Sequence, residues 1–496
     1  MRGAAPSICL VAPCGSGVDE AIVRHTRRLG QMLTAAGWHV HVLWCGAAAA
    51  KPAGVAEMQW HWGDFDFPAT AWLSGPCLFD ALHDRDRTLH ALRQLHERFR
   101  FDVIQFPERG GLGFRAIQAK QTGQAFADAQ LVTTEHGGTR SLRDAREQWL
   151  VQPEELTLDY MERYTLLHAD HTQTAQMASG HEQGMRSALA CVSGSQAVQP
   201  LVTICVPYFN LHEFLEETLD SIAQQTYSNL DVIVINDGST EAEAVAVFER
   251  MRSRFPHFRF VEQANAGIGA TRNRGMQMAG GEYFLPVDAD NIADPEMVCR
   301  FVMGMQHHRD IAAMTCYFLA FRESADVADG RFAYAYKPTG GPRILGCLQN
   351  IYGDGNAIFR TEALRAVGGF ETDRDTSFED WEVFVKLVNL GRRVEVLPDF
   401  LFYYRHRDAG FSRVTNAYRN QQRVLRRFTE IECLPEHERA LLWNWLVGSQ
   451  QRLAELETEN NALKENSAGR PYRAVTALSK AMKRLRQATS RIFSAA

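Results

Sequence analysis

Residues 202–210 read VTICVPYFN and residues 231–240 read DVIVINDGST, two strand-length apolar runs that each stop at a cluster of polar, turn-forming residues. Between them lies an amphipathic stretch, so the pair reads as strand, helix, strand. The pattern continues, predicting strands at Val202–Val206, Asp231–Asn236, Phe258–Glu262 and Tyr283–Val287, with helices near Leu211–Gln225, Glu241–Phe255 and Gly267–Ala279. Links of this length suit crossovers between parallel strands, whereas antiparallel neighbours need only a tight turn. The predicted fold class is therefore α/β with a parallel, Rossmann-like sheet.

In such a sheet ligands sit at the carboxyl ends of the strands, which gives the polar residues there their weight. Pro207, Tyr208 and Asn210 end the first strand, Asp237 the second, and Asp288-Ala289-Asp290 the fourth. Asp237 is placed to accept hydrogen bonds from a base or ribose, or simply to cap a turn. Asp288 and Asp290 offer hard oxygens that suit Mg2+ or Mn2+ against a diphosphate, although acidic strand-end loops are also commonplace. The helix opened by Gly267-Ile-Gly269-Ala-Thr-Arg272-Asn273 lets backbone approach a ligand and supplies a guanidinium fork, or is a glycine turn with a surface arginine. Further on, Gly353-Asp-Gly355-Asn356 precedes a helix, and Phe378-Glu379-Asp380-Trp381 begins another. Its two carboxylates either complement the helix dipole or supply a general base beside an aromatic platform for a sugar.

Working outward, Ser7–Ala12, Val40–Trp44, Asp102–Phe106 and Gln130–Thr134 read as strands of an earlier α/β unit, with a helix at Glu20–Ala36. The segment 193–200, SGSQAVQP, reads as a linker. The expected division is 1–195, then 196–430, then a helical tail at 431–496 with a short coiled-coil-like run through Leu446, Leu453, Leu456, Asn460 and Leu463. Residues 470–493 carry cations beside an apolar stripe, which suits a helix lying on anionic lipid or one packed on the protein with a solvated basic face.

The 496 residues exceed a single core at roughly 100–200 residues per domain. A hydrophobic fraction of 45% excludes a disordered chain, and a net charge of -6 gives no global field for nucleic acid. No run approaches membrane-spanning length and no leader is visible, so the expected location is cytoplasmic, with peripheral contact at the inner face of the cell membrane. The ten cysteines form no C-x-x-C pair and read as free thiols.

In order, VPYFN, NDGST, NAGIGATRNRG, LPVDADN, and GGF followed by FEDWE resemble the family 2 glycosyltransferases of the GT-A fold, over residues 201 to about 415. The resemblance implies an inverting, metal-dependent transfer from a nucleotide sugar, by default a UDP-sugar, to a hydroxyl of a glycan, lipid-linked or glycoprotein acceptor in bacterial surface polysaccharide synthesis. It implies nucleotide binding by Pro207, Tyr208, Asn210, Asp237, Arg272, Asn273 and Asp288, and Mn2+ or Mg2+ on Asp290 with Asp288. His406 stands where some members have a further metal ligand, although a histidine at a strand end also serves structure. Asp380 would be the catalytic base, with Glu379, Trp381 and Asn356 on the acceptor side. Residues 1–195 resemble the amino-terminal half of family 4, GT-B fold glycosyltransferases, through PERGGLGF, TEHG and YMER. That fold holds its donor mainly with its other half, so this unit reads as acceptor-binding or architectural. A homo-oligomer is compatible with the tail. Two other readings compete: a non-catalytic nucleotide-sugar-binding scaffold, and a nucleotidyltransferase, which would need a basic triphosphate loop that is not visible.

Overall fold

Strands of the first unit are short, and they pair in parallel throughout. The computed structural model describes residues 5–13, 20–45, 59–61, 65, 67, 70, 73, 80–175, 199–407, 415–428 and 434–466; the basic stretch 470–493 lies outside them. The first sheet contains β1 (Ser7–Pro13), β2 (His39–Cys45), β3 (Gln59–His61), β4 (Val103–Pro107), β5 (Gln130–Glu135) and β6 (His171–Thr174), in the order β3-β2-β1-β4-β5-β6. Around it run α1 (Glu20–Ala35), α2 (Asp80–Phe99), α3 (Phe114–Gln121), α4 (Thr139–Ala145) and α5 (Pro153–His168).

The second sheet begins with the run quoted first. β7 (Val202–Tyr208) pairs in parallel with β8 (Leu230–Asn236) and with β10 (Tyr283–Pro286), and β8 with β9 (Arg259–Glu262). Val232 and Val234 enter one apolar cluster while Ile233 and Ile235 enter another. Both faces of β8 are thus covered, which is why it reads as a continuous run rather than an alternation. Helices α6 (Leu215–Ala223), α7 (Ala242–Arg254) and α8 (Ile268–Met278) fall within the stretches expected from periodicity.

Beyond β10 the sheet is mixed rather than wholly parallel. β14 (Ile358–Arg360) runs antiparallel to both β10 and β12 (Ile311–Phe321), β15 (Arg393–Arg405) lies parallel to β12, and β11 (Ile292–Ala293) and β13 (Tyr334–Tyr336) pair at its edges. Helices α9 (Met297–His307), α10 (Thr361–Ala366), α11 (Glu379–Asn389) and α12 (Ala417–Leu425) follow in sequence, and α13 (Glu436–Asn466) comes last.

The two sheets are not separate beads. Leu150 and Leu156 of the first unit share an apolar cluster with Ile344, Tyr352 and Leu441. Asn444 accepts from the Leu150 N–H at 2.7 Å, and the Trp445 indole donates to the Val151 carbonyl at 3.1 Å. Leu446 and Leu453 of α13 are themselves buried against the described chain. Among the described residues Cys9, Cys205 and Cys316 are buried free thiols, and burial pushes each thiol pKa up.

Candidate active site

The carboxyl ends of β7 and β10 open into a cavity of about 570 Å³, closed on its far side by the 348–355 loop and the start of α11. Its lining includes Pro207, Arg272, Asp288, Asp290, Asp354, Glu379, Asp380, Trp381, Arg405 and Arg407. Residues nearly two hundred positions apart meet here because the sheet brings strand ends from one half against a helix start from the other.

Arg272 is the hub. It is buried on α8, gives one nitrogen to Asp288 at 2.6 Å and another to Glu379 at 2.7 Å, and lies over the Phe370 ring. Burial alone would lower its pKa, but Asp288, Glu379 and Asp380 outweigh that and hold it above the ordinary arginine value. α8 can reach this position because Gly269 lies against the carbonyl of Glu371, where a β-carbon would come within 1.8 Å of the oxygen. Asn273 clasps the same turn, donating to the Phe370 carbonyl and accepting from its N–H. It braces the GGF turn and does not face the cavity.

Asp380 stands two residues after Phe378, which sits in the left-handed region at φ 75°, a conformation that costs on the order of 1–3 kcal/mol and is tolerated where surroundings dictate it. Its carboxylate accepts from the Trp381 N–H at 2.7 Å. Burial first, then the charges of Glu379 and Asp354, push Asp380 up to about 8 despite Arg272. Asp354 is pushed up to about 6, again by burial first and then by Asp288. Asn356 ties these groups together, accepting from the Asp288 N–H at 2.9 Å and donating to Asp354. Trp381 is largely buried with its indole donating to the Gly346 carbonyl, so it forms part of the wall.

On the other side Asp290 pairs with Arg407 at 2.7 Å; burial raises its pKa and Arg407 opposes the rise. Arg405 donates to the Asp290 carbonyl oxygen and pairs with Glu217. Among the described residues no group of three or more His, Cys, Asp or Glu is placed to hold a metal. The donor set at this end is Asp290 with Asp288, hard carboxylate oxygens of the kind that suit a divalent cation. His406 is not part of that set: its ring nitrogen faces the Tyr334 hydroxyl at 3.5 Å, and it does not line the cavity.

Other residues singled out from sequence brace the cavity instead of facing it. Tyr208 is fully buried, with its hydroxyl on the Ala244 carbonyl and its ring stacked on Phe248. Asn210, at φ 50°, accepts from the N–H groups of Thr240 and Glu241 and so pins the first strand-end loop to the second. Both oxygens of Asp237 are occupied by Gln263 and the N–H groups of Ala266 and Gly267, which shapes the entry to α8. Sequence reasoning gave no role to Asp354, Arg405 or Arg407. Asp354 stood inside the quoted GDGN, whereas the arginines carry no local signal, because their partners lie in the DAD turn more than a hundred residues earlier.

Residues 203–368 match the family described as Glycosyl transferase family 2. These residues form a family 2 glycosyltransferase domain. The family 2 domain lies within the second sheet, and Asp380 falls just beyond the matched segment. Curated relatives include glycosyltransferase GlyA of Streptococcus pneumoniae, 36% identical over 130 residues, 26% of this chain and 18% of that protein. The uncharacterized glycosyltransferase YibD of Escherichia coli K12 is 32% identical over 126 residues, 25% of this chain and 36% of its own. Chondroitin synthase of Escherichia coli is 30% identical over 99 residues, 20% of this chain and 14% of that one. The matched part thus spans well under two thirds of each relative. Among solved structures, S. aureus TarS 1–349 in complex with UDP-GlcNAc aligns at a TM-score of 0.40 and 19% identity, over 50% of this chain and 71% of that chain.

Proposed function

We propose that the chain is an inverting glycosyltransferase that moves a sugar from a nucleoside diphosphate sugar, by default a UDP-sugar, to a hydroxyl of a glycan, lipid-linked or glycoprotein acceptor in bacterial surface polysaccharide synthesis. The observation that carries this is the cavity at the strand ends of a family 2 domain, where a high-pKa carboxyl, Asp380, shares the lining with the acidic strand end Asp288–Asp290. Chondroitin synthase, a relative named for making a glycan, supports a glycan acceptor.

In this reading Asp380 takes the acceptor proton while the acceptor oxygen bonds to the anomeric carbon and the bond from that carbon to the diphosphate oxygen breaks. Inversion follows from one displacement, for which one base suffices. Arg272 fixes Glu379 and Asp288 in place and keeps Glu379 from serving as the base. Asp290, with Asp288, would hold Mn2+ or Mg2+, which neutralises charge on the departing diphosphate. Pro207 and the backbone of the 207–210 and 237–239 loops, braced by Asn210, Tyr208 and Asp237, shape the nucleotide end; Asn356 and Trp381 set the acceptor wall. The first unit, which we read from PERGGLGF, TEHG and YMER as resembling the amino-terminal half of family 4 enzymes, serves architecture or acceptor binding. No helix among the described residues is long and apolar enough to cross a membrane, and attachment to anionic lipid through 470–493 belongs to the same proposal.

The test is nucleoside diphosphate release by the full chain from a panel of UDP- and GDP-sugars, with Mn2+, Mg2+ or chelator. Metal-dependent release supports the reading; tight nucleotide-sugar binding with no release under any condition would leave a binding scaffold.

A further inference from the structure

The acceptor-side wall of the cavity is backed by charges that belong to the first unit. Lys337, the residue after β13, is almost wholly buried and pairs with Asp86 of α2 at 3.3 Å. Asp86 also accepts from the Tyr317 hydroxyl at 2.9 Å and lies 3.4 Å from Arg115. Arg115 is fully buried on α3 and donates to the Pro338 carbonyl at 3.0 Å, while Gln118 donates to the Thr339 carbonyl and to Glu395. Next along the chain, the Tyr160 ring of α5 lies flush on Gly341, where a β-carbon would come within 2.4 Å of it. The clamped segment passes its position on, because the N–H groups of Thr339 and Gly340 donate to the Ile351 carbonyl, and Gly353 to Gly355 line the cavity beside Asp380.

We propose that Asp86 is a positioning residue for the transferase site: through Lys337 it holds segment 337–341, and through Ile351 it holds Asp354 and the acceptor wall. Its role in transfer rests on the function proposed above, whereas the clamp itself does not. The physical basis is the intolerance of buried charge. With Asp86 neutralised, Lys337 and Arg115 lose their shared counter-ion in a buried interface, and the cheapest relief is movement of the 337–341 segment that carries Lys337 toward solvent. Buried charge of this kind specifies one arrangement more than it adds stability. The β7–β8 end of the domain, which faces the nucleotide, shares none of these contacts and stays in place.

Hydrogen exchange of the full chain tests this with Asp86→Asn, Lys337→Met and Asp86→Glu. Exchange in peptides spanning 334–356 should quicken by about tenfold or more in the first two variants, with peptides spanning 202–236 unchanged and Asp86→Glu partly restored. Calorimetric binding of UDP should stay close to wild type while turnover of the sugar nucleotide falls. Unchanged exchange at 334–356, or an equal rise across both sheets, overturns the proposal. Should Asp86→Asn not fold, Lys337→Met carries the test, since it leaves Asp86 beside Arg115 and Tyr317 while releasing the segment; unchanged exchange at 334–356 in that variant overturns the proposal too. If the wild type releases UDP from no donor, the transferase reading fails while the exchange result still decides the clamp.

Discussion

Asp380 carries a proton more tightly in the folded chain than in the unfolded one, with a consequence for stability as well as rate. A carboxyl raised to about 8 contributes stability that is full below its unfolded pKa and is lost as pH rises through the folded value. Asp380→Asn removes that dependence, so its melting temperature relative to wild type should rise between pH 5 and pH 8.5, as thermal denaturation across pH will show. The same substitution should lower transfer by a factor on the order of 100 or more with donor affinity retained, and wild-type transfer should increase with pH up to about 8. Asp290→Ala should abolish metal-stimulated donor turnover with little change in melting temperature, since Asp290 is itself a burdened carboxylate; chelation of the wild type should have the same effect on turnover. At this scale the convergence of Asp288, Asp290 and Asp380 on one cavity was legible, because acidic residues at strand ends and helix starts carry a positional signal. The directions of Tyr208, Asn210 and Asp237 were not. A motif records which residue stands at a strand end, and only packing decides whether its side chain faces the cavity or holds the loop.

At the scale of elements, the parallel strands β7 to β10 and their helices were readable because continuous apolar runs, broken by Asn-Asp-Gly and Asn-Ala-Gly, leave little freedom of interpretation. The mixed half of the sheet was harder. β14 is three residues long, and its antiparallel pairing with β10 and β12 is fixed by neighbours distant in sequence. Helix α8 offers the sharpest test of packing. Gly269→Ala should destabilise the fold by about 1–3 kcal/mol and weaken UDP binding together, because the added methyl must push α8, and Arg272 with it, away from the Glu371 carbonyl. Chemical denaturation and calorimetry report both. A loss of stability with unchanged nucleotide affinity would mean that the hub tolerates a shifted helix.

On the scale of the whole molecule, the segment 193–200 reads as a linker between two units, and the described residues on either side of it share a buried interface. Arg93 pairs with Asp399 at 2.7 Å, Tyr164 donates to Glu395 at 2.9 Å, and Lys337 and Arg115 are sealed between the units. The pairs Arg93–Asp399, Tyr164–Glu395 and Lys337–Asp86 are not visible in sequence, since the partners in each stand more than two hundred positions apart. Removal of residues 1–198 should therefore give an aggregation-prone fragment that lacks turnover, measurable by light scattering and diphosphate release. A monodisperse fragment with wild-type turnover would show that the interface is dispensable.

The contact of α13 with residues 150 and 151 has a further meaning in time. A polypeptide leaves the ribosome from its amino end, and domains generally fold as they emerge. The first sheet is complete in sequence by Thr174, yet the Leu150 N–H waits for Asn444 and the Ile344 N–H waits for Glu438. Synthesis must therefore pass Asn444 before the seam between the two sheets can close, and until then the emerging chain presents an unsealed apolar flank to chaperones.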